Sequence, residues 1–266
     1  KDSLSPGEEQ KYYHDLFMAK SIIQQLADKV EDAKEVYRDS QKFYDPDKLS
    51  NATHIIRQAL AAVSLAYFPT QLNLSSFDMP SFKGSFEDLK TVTINKAENP
   101  YIELFETYLL PSIHVEKPDV IGISVSGESQ LIPALTLARM IKVSGVKAHV
   151  VVGGYVISML ADILTKYPEL YDLFFDSAVL NDGEKPLSVL VEHLAQGKTL
   201  EDVPNLVYRD ADCIRVTRNE PPENINSLPT PDFDGLPLKR YFSPEPVLPL
   251  LASRGCYWSK CAFCTH

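Results

Sequence analysis

Between residues 117 and 200, short apolar runs alternate with amphipathic stretches, and this pattern limits the fold more than any other feature. Strands are predicted at 120–125, 149–152 and 174–180, and each is followed by a turn of glycine or small polar residues and then by residues with helical spacing. The second helix is predicted at about 156–167, and the inward face of the first consists of Leu131, Leu135, Ala138 and Ile141. Near-continuous apolar runs are typical of parallel strands covered on both faces. The alternation predicts an open α/β domain with a parallel sheet, whose turns after the strands lie at one edge.

The first 97 residues have a different pattern, which is mainly helical. Leu16, Ala19, Ile23, Leu26, Val30, Ala33 and Tyr37 recur at steps of three and four, so residues 8–39 are predicted to form a long helix with one apolar face. This face could pack on the rest of the chain or pair with a partner helix. A second helix is predicted at 51–67, capped by Ser50 and followed by Pro69, and 70–97 are predicted to be loop with a short strand at 91–94.

The remaining boundaries follow from turn residues. Asn99-Pro100 predicts a helix that begins with a cap and an N1 proline and runs to about residue 110. Residues 205–217 are predicted to form a β-hairpin, and eight prolines in 219–249 predict an extended linker. We therefore divide the chain into a helical N-terminal segment at 1–97, an α/β domain at 98–218, a proline-rich linker at 219–246 and a last segment at 247–266. The apolar run Val247–Ala252 is predicted to be a strand.

Composition excludes several function classes. The chain has 266 residues, 44% hydrophobic and 23% charged, which is ordinary for a globular protein. Its net charge of −10 and the lack of a basic block argue against a nucleic-acid partner. No apolar run approaches the roughly 20 residues needed to span a bilayer, so we expect no membrane partner. Four cysteines, three of them clustered, fit a reducing compartment, and we expect a cytoplasmic protein.

Small and polar residues follow all three predicted sheet strands, and such turns at one edge can hold a large, flat cofactor with an amide fringe. Glycine permits close approach of the backbone, and helix N-termini offer free N–H groups. Each turn taken alone could also be a plain strand end or tight turn, and Asp182 and Glu184 fit helix-start residues better than acid–base catalysts. The candidate cofactor-binding residues are Ser124, Ser126, Gly127, Gly153, Gly154, Tyr155, Asp182, Gly183 and Glu184.

Cys256, Cys261 and Cys264 lie within nine residues, in the spacing Cys-x4-Cys-x2-Cys. Three thiolates can hold three irons of a [4Fe–4S] cluster and leave the fourth iron open to a substrate. A zinc site that also uses His266, or a disulfide, remains an alternative, although His266 is too close to Cys264 for common zinc spacings. Cys213 is predicted to be an inert buried thiol. The histidines at 14, 54, 149 and 193 fall in predicted helices or strands without metal-ligand spacing.

The run Ser253-Arg254-Gly255-Cys256, followed by the other two cysteines with Phe263 just before the last, resembles the cluster motif of radical S-adenosylmethionine (SAM) enzymes. The family's usual first gap has three residues, and here it has four. The resemblance implies that Cys256, Cys261 and Cys264 bind a [4Fe–4S] cluster and that its open iron chelates SAM beside Phe263. It also implies that 247–266 are the first strand and cluster loop of a barrel that continues beyond His266.

The segment from about residue 98 resembles the Rossmann-like cobalamin-binding domain of cobalamin-dependent radical SAM enzymes. The resemblance is carried by Pro118-Asp119-Val120-Ile121-Gly122-Ile123-Ser124, Val152-Gly153-Gly154 and Gly183-Glu184. In that family the serine-bearing and Gly-Gly turns contact the corrin and its nucleotide tail. The cobalt-binding pattern Asp-x-His-x-x-Gly does not occur here, and the context of His114 does not match it.

Together the resemblances imply the N-terminal part of an enzyme that transfers a methyl group to an unactivated carbon or phosphorus. The expected cofactors are a [4Fe–4S] cluster, SAM and cobalamin. The expected partners are an external electron donor and a peptide or small-molecule substrate. A radical SAM enzyme of another outcome, such as a cyclase or methylthiotransferase, and a non-enzymatic cobalamin- or zinc-binding module remain alternatives. We expect no turnover by residues 1–266 alone.

Overall fold

The structure is a computed structural model that describes residues 6–250, 253–255, 258, 260 and 262. It divides into two compact units. The first unit combines the chain up to Ala27 with Arg57–Pro222, and the second combines Asp28–Ile56 with the chain from Glu223 onward. None of the described helices is both long and apolar enough to cross a lipid bilayer.

The N-terminal segment is helical, as predicted. Helix α1 spans Pro6–Arg38, the short α2 spans Ser40–Phe43, and α3 spans Pro46–Ala66. Helix α3 begins five residues before the predicted start, because the carboxylate of Asp45 accepts hydrogen bonds from the backbone N–H groups of Asp47 and Lys48. The predicted Ser50 cap is therefore wrong. Asp45 caps the helix, and Pro46 is its first residue.

Only part of the predicted apolar face of α1 is covered within the described chain. Leu26 and Ala33 are buried, whereas Leu16 and Ile23 are 40% and 52% exposed. Periodicity predicts which residues share a helix face, and the neighbouring elements decide how much of that face is buried.

The 70–97 segment contains more regular structure than predicted. Strands β1, Gln71–Leu72, and β2, Phe77–Asp78, form a small antiparallel hairpin, and helix α4 spans Phe86–Val92. Ser85 and Asp88 form a reciprocal capping box at the start of α4. The strand predicted at 91–94 is wrong, because this capping box begins a helix that extends through Val92.

The helix predicted after Asn99 is confirmed and is longer than expected. Helix α5 spans Pro100–Leu104, continues through a π-helical turn at Phe105–Leu109 and then enters α6, Leu110–Glu116. The Asn99 side chain accepts a hydrogen bond from the Tyr101 N–H, as the cap prediction required. The wider turn lies just before Pro111, which has no N–H to donate to the preceding turn.

The first unit is built on a five-stranded mixed sheet, so the α/β prediction is confirmed, whereas the parallel sheet is confirmed only for its first three strands. In chain order the elements are β3 (Val120–Ser124), α7 (Leu131–Val143), β4 (His149–Gly153), α8 (Tyr155–Met159), α9 (Ala161–Leu164), α10 (Glu169–Leu173), β5 (Ser177–Val179), α11 (Glu184–Gln196), β6 (Leu206–Asp210) and β7 (Cys213–Val216). Strands β3, β4 and β5 are parallel, and β6 and β7 continue the sheet antiparallel. The predicted hairpin is therefore the outer part of the sheet. The helix predicted at 156–167 is divided between α8 and α9.

Both faces of the sheet are packed. Helix α7 buries Leu135, Ala138 and Ile141, as its spacing predicted, in a cluster with Val150 and Val152. A second cluster contains Leu190 of α11, which lies beside Val151 and Leu206. Alternate residues of β4 thus belong to opposite clusters, as the two-residue period of a strand requires.

Strand β3 was predicted to be covered on both faces, and it is covered in part: Ile121 and Ile123 pack against the first cluster, and Val120 packs against the second. The strand order is β3-β4-β5-β6-β7, so β3 lies at the edge of the sheet in the described chain. Ile121 and Ile123 are half-buried, and Gly122 and Ser124 are exposed. An apolar run predicts a strand, but it does not tell how many neighbours the strand has.

In the second unit, the end of α1 packs on residues from the proline-rich segment. The Tyr37 ring lies 5.2 Å from the Phe242 ring, and the Tyr37 hydroxyl is 2.7 Å from Thr53 Oγ1. The segment is irregular apart from 3-10 turns at Ile225–Ser227 and Leu238–Arg240, as expected from its prolines. Residues 247–250 form no strand, and Val247 and Leu250 are 80% and 73% exposed. The strand predicted for Val247–Ala252 is thus wrong over its first four residues; residues 251 and 252 lie outside the described chain.

Candidate functional site

Three of the predicted turns lie side by side at the carboxyl edge of the sheet. They follow β3, β4 and β5, which are neighbouring parallel strands. The Val125 N–H donates to the Gly153 carbonyl at 2.8 Å, which joins the first turn to the second. The Asn181 N–H donates to Ser158 Oγ at 2.8 Å, which joins the third turn to α8. The nine sheet-edge residues predicted from the sequence are therefore located on three adjacent turns.

In the Gly-Gly turn, the packing of the backbone requires a glycine at the second position. Gly154 has φ +100°, and a Cβ there would lie 2.6 Å from the Val125 carbonyl oxygen. A Cβ on Gly153 would lie 3.4 Å from the Val179 carbonyl oxygen. The contact at Gly153 is an ordinary van der Waals distance, so only Gly154 must be glycine for the ends of the first two strands to approach this closely, with or without a ligand.

The serine-bearing turn is closed by a side chain that the sequence analysis did not identify. Gln130 Oε1 accepts hydrogen bonds from the Ser126 N–H at 2.8 Å and the Gly127 N–H at 3.1 Å. A glutamine three residues after a turn is the recognisable sequence signal of this arrangement. These two donors are engaged, whereas the Ser124 and Ser126 side chains are exposed at the edge.

The third turn is tied to the chain that leaves the sheet. Asn181 has φ +60°, and its side-chain Nδ2 donates to Asn219 Oδ1 at 3.1 Å. Lys185 Nζ lies 2.6 Å from Glu220 Oε2, and this hydrogen bond lowers the pKa of Glu220. Glu184 lies in the first turn of α11, as predicted for a residue that offsets the helix dipole.

Tyr155 adds an exposed aromatic ring to the same edge. It is the first residue of α8, directly after the Gly-Gly turn, and half of its surface is exposed. The edge thus offers hydroxyl, amide and aromatic groups beside the small residues of the three turns. Such a surface suits a large ligand with neutral polar groups.

A cavity of about 440 Å³ opens beside the end of β3. Its walls come from the β1–β2 hairpin, from the helical stretch after Asn99 and from the start of α7, and they include Leu72, Phe77, Tyr101, Phe105, Ser124 and Leu137. Sequence analysis missed this cavity, because the hairpin that forms one wall was predicted to be loop. Its volume is in the range of small-ligand pockets.

The predicted cluster residues Cys256, Cys261, Phe263 and Cys264, together with His266, lie outside the described residues. Within the described chain, no group of three His, Cys, Asp or Glu side chains is arranged to hold a metal ion. Gly255, which precedes the first cysteine of the motif, has φ +73°, a conformation that favours glycine.

Two further predictions concern isolated residues. His14, His54, His149 and His193 lie in α1, α3, β4 and α11, as predicted. Cys213 was predicted to be buried and is exposed, because it begins the outermost strand β7, opposite Asp210 at the hairpin end. An apolar residue on an outer strand has fewer neighbours than its type suggests.

At the amino ends of the strands, a cluster of polar side chains joins α7, β4 and β5. Lys142 Nζ lies 2.5 Å from Asp176 Oδ1, and the Val150 N–H donates to Asp176 Oδ2 at 2.7 Å. His149 Nε2 lies 2.8 Å from the buried Ser177 hydroxyl. Burial lowers the pKa of His149. The negative charge of Asp176 raises this pKa, and the positive charge of Lys142 lowers it, but burial has the largest effect. These contacts pack the amino ends of the strands together.

Comparison of the chain with protein-family models, curated proteins and solved structures gave no match.

Proposed function

We propose that this chain is the N-terminal part of a cobalamin-dependent radical SAM enzyme that methylates an unactivated centre of a peptide or small molecule. The observation that supports it is the order of features along the chain: three adjacent turns at one sheet edge, then the cysteine triad. The sheet edge would hold cobalamin, and Cys256, Cys261 and Cys264 would hold a [4Fe–4S] cluster that binds SAM.

The residues at the edge fit a corrin in their chemistry. Ser124, Ser126 and Asn181 are exposed, neutral and able to donate or accept hydrogen bonds, which suits the amide fringe of cobalamin. Tyr155 offers an exposed ring next to them. The three turns, as described, contain no histidine, so a cobalt ligand from Asp-x-His-x-x-Gly is not part of this proposal.

When bound, cobalamin would supply methyl-transfer chemistry, and the cluster would supply one-electron chemistry toward SAM. The chain's own part would be to position these groups. Ser124 and Ser126 would orient the corrin amides, and the Gly153-Gly154 backbone would allow its close approach. An electron donor and the substrate would be separate partners.

Cobalamin binding can be tested on the protein directly. Hydroxocobalamin is titrated against wild type, against Ser126→Trp, which fills the exposed edge, and against Ser112→Trp, a matched change on the exposed surface of α6. We expect Ser126→Trp to weaken binding by about tenfold or more, equivalent to about 1.4 kcal/mol, and Ser112→Trp to leave it unchanged. No binding by wild type, or equal binding by Ser126→Trp, would contradict the cobalamin assignment.

The cluster is tested by anaerobic reconstitution with iron and sulfide, followed by iron analysis and absorbance. We expect wild type and Cys213→Ala to take up iron and sulfide, and Cys256→Ala, Cys261→Ala and Cys264→Ala to lose most of it, because three thiolates are needed. Zinc retained in place of iron by wild type would favour the binding-module alternative. SAM cleavage by residues 1–266 alone would contradict our expectation that this part has no turnover.

A further inference from the structure

The outer side of β3 has a row of backbone groups that no strand of the described chain pairs with. The His149 N–H donates to the Asp119 carbonyl, and the Val125 N–H donates to the Gly153 carbonyl. The odd-numbered residues from 119 to 125 therefore direct their backbone N–H and C=O groups toward β4. In a parallel ladder the alternate residues point the other way. The N–H and C=O groups of Val120, Gly122 and Ser124 therefore face outward, where no described strand pairs with them.

Within the described residues, this edge lacks the features by which proteins prevent strand addition. Edge strands are normally protected by charged residues, proline, bulges or a covering segment. Val120–Ser124 contains no charged residue and no proline, and Gly122 and Ser124 are exposed. The opposite edge strand, β7, carries Arg215, which pairs with Asp210. As far as the chain is described, the sheet thus has one protected edge and one edge open to a further strand.

The cavity described above lies at the carboxyl end of the open strand and shares Ser124 with it. The rings of Phe77 and Tyr101 meet edge to face at 5.1 Å on its wall, beside Phe105 and Leu137. No charged side chain of the described residues lines it. A strand added along β3 would therefore run past a pocket of about 440 Å³ suited to an uncharged, apolar or aromatic side chain.

We propose that the open edge of β3 binds an extended segment of another polypeptide as a sixth strand, with one uncharged apolar or aromatic side chain of that segment in the cavity beside Ser124. Strand addition combines main-chain hydrogen bonds, which give affinity, with a pocket that selects a side chain, and both parts are present here. The proposal does not depend on the cofactors.

A peptide fits this edge better than a second copy of the chain. The strand has five residues, and pairing two such strands alone buries far less than the roughly 1,200 Å² of a stable protein interface. A peptide ligand needs only the strand hydrogen bonds and one filled pocket. The uncharged lining further selects against acidic or basic side chains at the position that enters the cavity.

The test uses a displayed library of uncharged heptapeptides, selected on the whole chain, with the enriched peptides resynthesised and titrated by fluorescence anisotropy. Gly122→Pro removes an outward N–H without removing a hydrogen bond to β4, and an edge strand tolerates proline in this orientation. Val216→Pro is the matched control on β7, because the Thr217 N–H bonds to Leu206 and the Val216 N–H faces outward. We expect Gly122→Pro to weaken binding by about tenfold or more and Val216→Pro to leave it unchanged.

Amide hydrogen exchange of the wild-type protein gives a readout that needs no variant. We expect the amides of Val120, Gly122 and Ser124 to exchange fast in the free protein and at least about tenfold more slowly with peptide bound, while those of Ile121 and Ile123 are protected throughout. Replacing the peptide's largest apolar residue by alanine should weaken binding to wild type more than to Leu137→Trp, which fills the cavity.

Several outcomes would overturn the proposal. One is that no uncharged peptide is enriched, and another is that enriched peptides bind without protecting the three outward amides. If these amides are protected in the free protein and the protection decreases on dilution, the edge would be assigned to a second copy of the chain. Protection that does not change with dilution would assign it to the protein's own chain. Equal loss of affinity in Gly122→Pro and Val216→Pro would place the peptide elsewhere.

Discussion

The Val125 carbonyl oxygen lies so close to the Cα of Gly154 that a Cβ on Gly154 would approach it to 2.6 Å. The same carbonyl accepts a hydrogen bond from the Val156 N–H at 3.1 Å, and the Val125 N–H donates to Gly153. The first two turns of the candidate site are therefore one backbone unit, joined in both directions across neighbouring strands. A side chain at Gly154 would have to separate them.

We expect Gly154→Ala to lower the free energy of unfolding by about 3 kcal/mol or more, because it combines a backbone clash with a left-handed φ. The matched control is Gly127→Ala, at φ −133° with nothing within 4 Å of the added Cβ, which should change stability by about 0.5 kcal/mol or less. Urea unfolding followed by circular dichroism measures both. Equal stability of Gly154→Ala and wild type would contradict the close approach.

Asn99 ties three segments together while fully buried. Its Nδ2 donates to the Val92 carbonyl at 3.0 Å and to Thr136 Oγ1 at 2.9 Å, and its Oδ1 accepts the Tyr101 N–H. We expect Asn99→Ala to cost about 2–3 kcal/mol, because it removes a cap and leaves buried partners unpaired. Asn51→Ala, on the exposed surface of α3, should have almost no effect. Similar urea midpoints for the two variants would show that the amide network contributes little.

Burial of His149 predicts a pH dependence of stability with a defined sign. Because burial and Lys142 lower its pKa, outweighing the opposite effect of Asp176, folding favours the neutral imidazole that faces Ser177. The unfolded state takes up a proton near its ordinary pKa of about 6.5, so the stability present above this pH is lost as the pH falls toward the lower, folded-state value. His149→Gln should lose less stability than wild type between about pH 8 and pH 5. Parallel pH profiles of the two proteins would contradict this.

In the second unit, Phe242 is the aromatic anchor of the proline-rich segment. Its ring lies 5.2 Å from Tyr37 and 5.6 Å from the Arg38 guanidinium, whose Nη2 also donates to the Arg240 carbonyl. We expect Phe242→Ala to cost about 1 kcal/mol of local stability and to speed hydrogen exchange across residues 238–242. The neighbouring exposed ring provides the control, since Tyr241→Ala should leave exchange in this segment unchanged. Equal effects of the two substitutions would show that the Phe242 contacts do not hold the segment.

Local signals in the sequence predicted much of the first unit. The apolar runs located β3, β4 and β5, the spacing of Leu135, Ala138 and Ile141 gave the buried face of α7, and Asn99-Pro100 marked a helix start. These predictions are confirmed because periodicity and capping depend on residues within one or two turns of each other. The strand prediction at 91–94 is wrong, because the Ser85–Asp88 capping box starts a helix that continues through Val92.

By itself the sequence determined that a parallel α/β sheet would present three small-residue turns at one edge, because strand direction and turn composition are local properties. The tertiary structure alone decided that β3 lies at an open edge, that Gly154 packs on Val125, and that the β1–β2 hairpin walls a cavity beside Ser124. Each of these depends on segments far apart in the chain meeting in space. Which segments meet is set by the packing of the whole unit, so no short stretch of sequence contains that information.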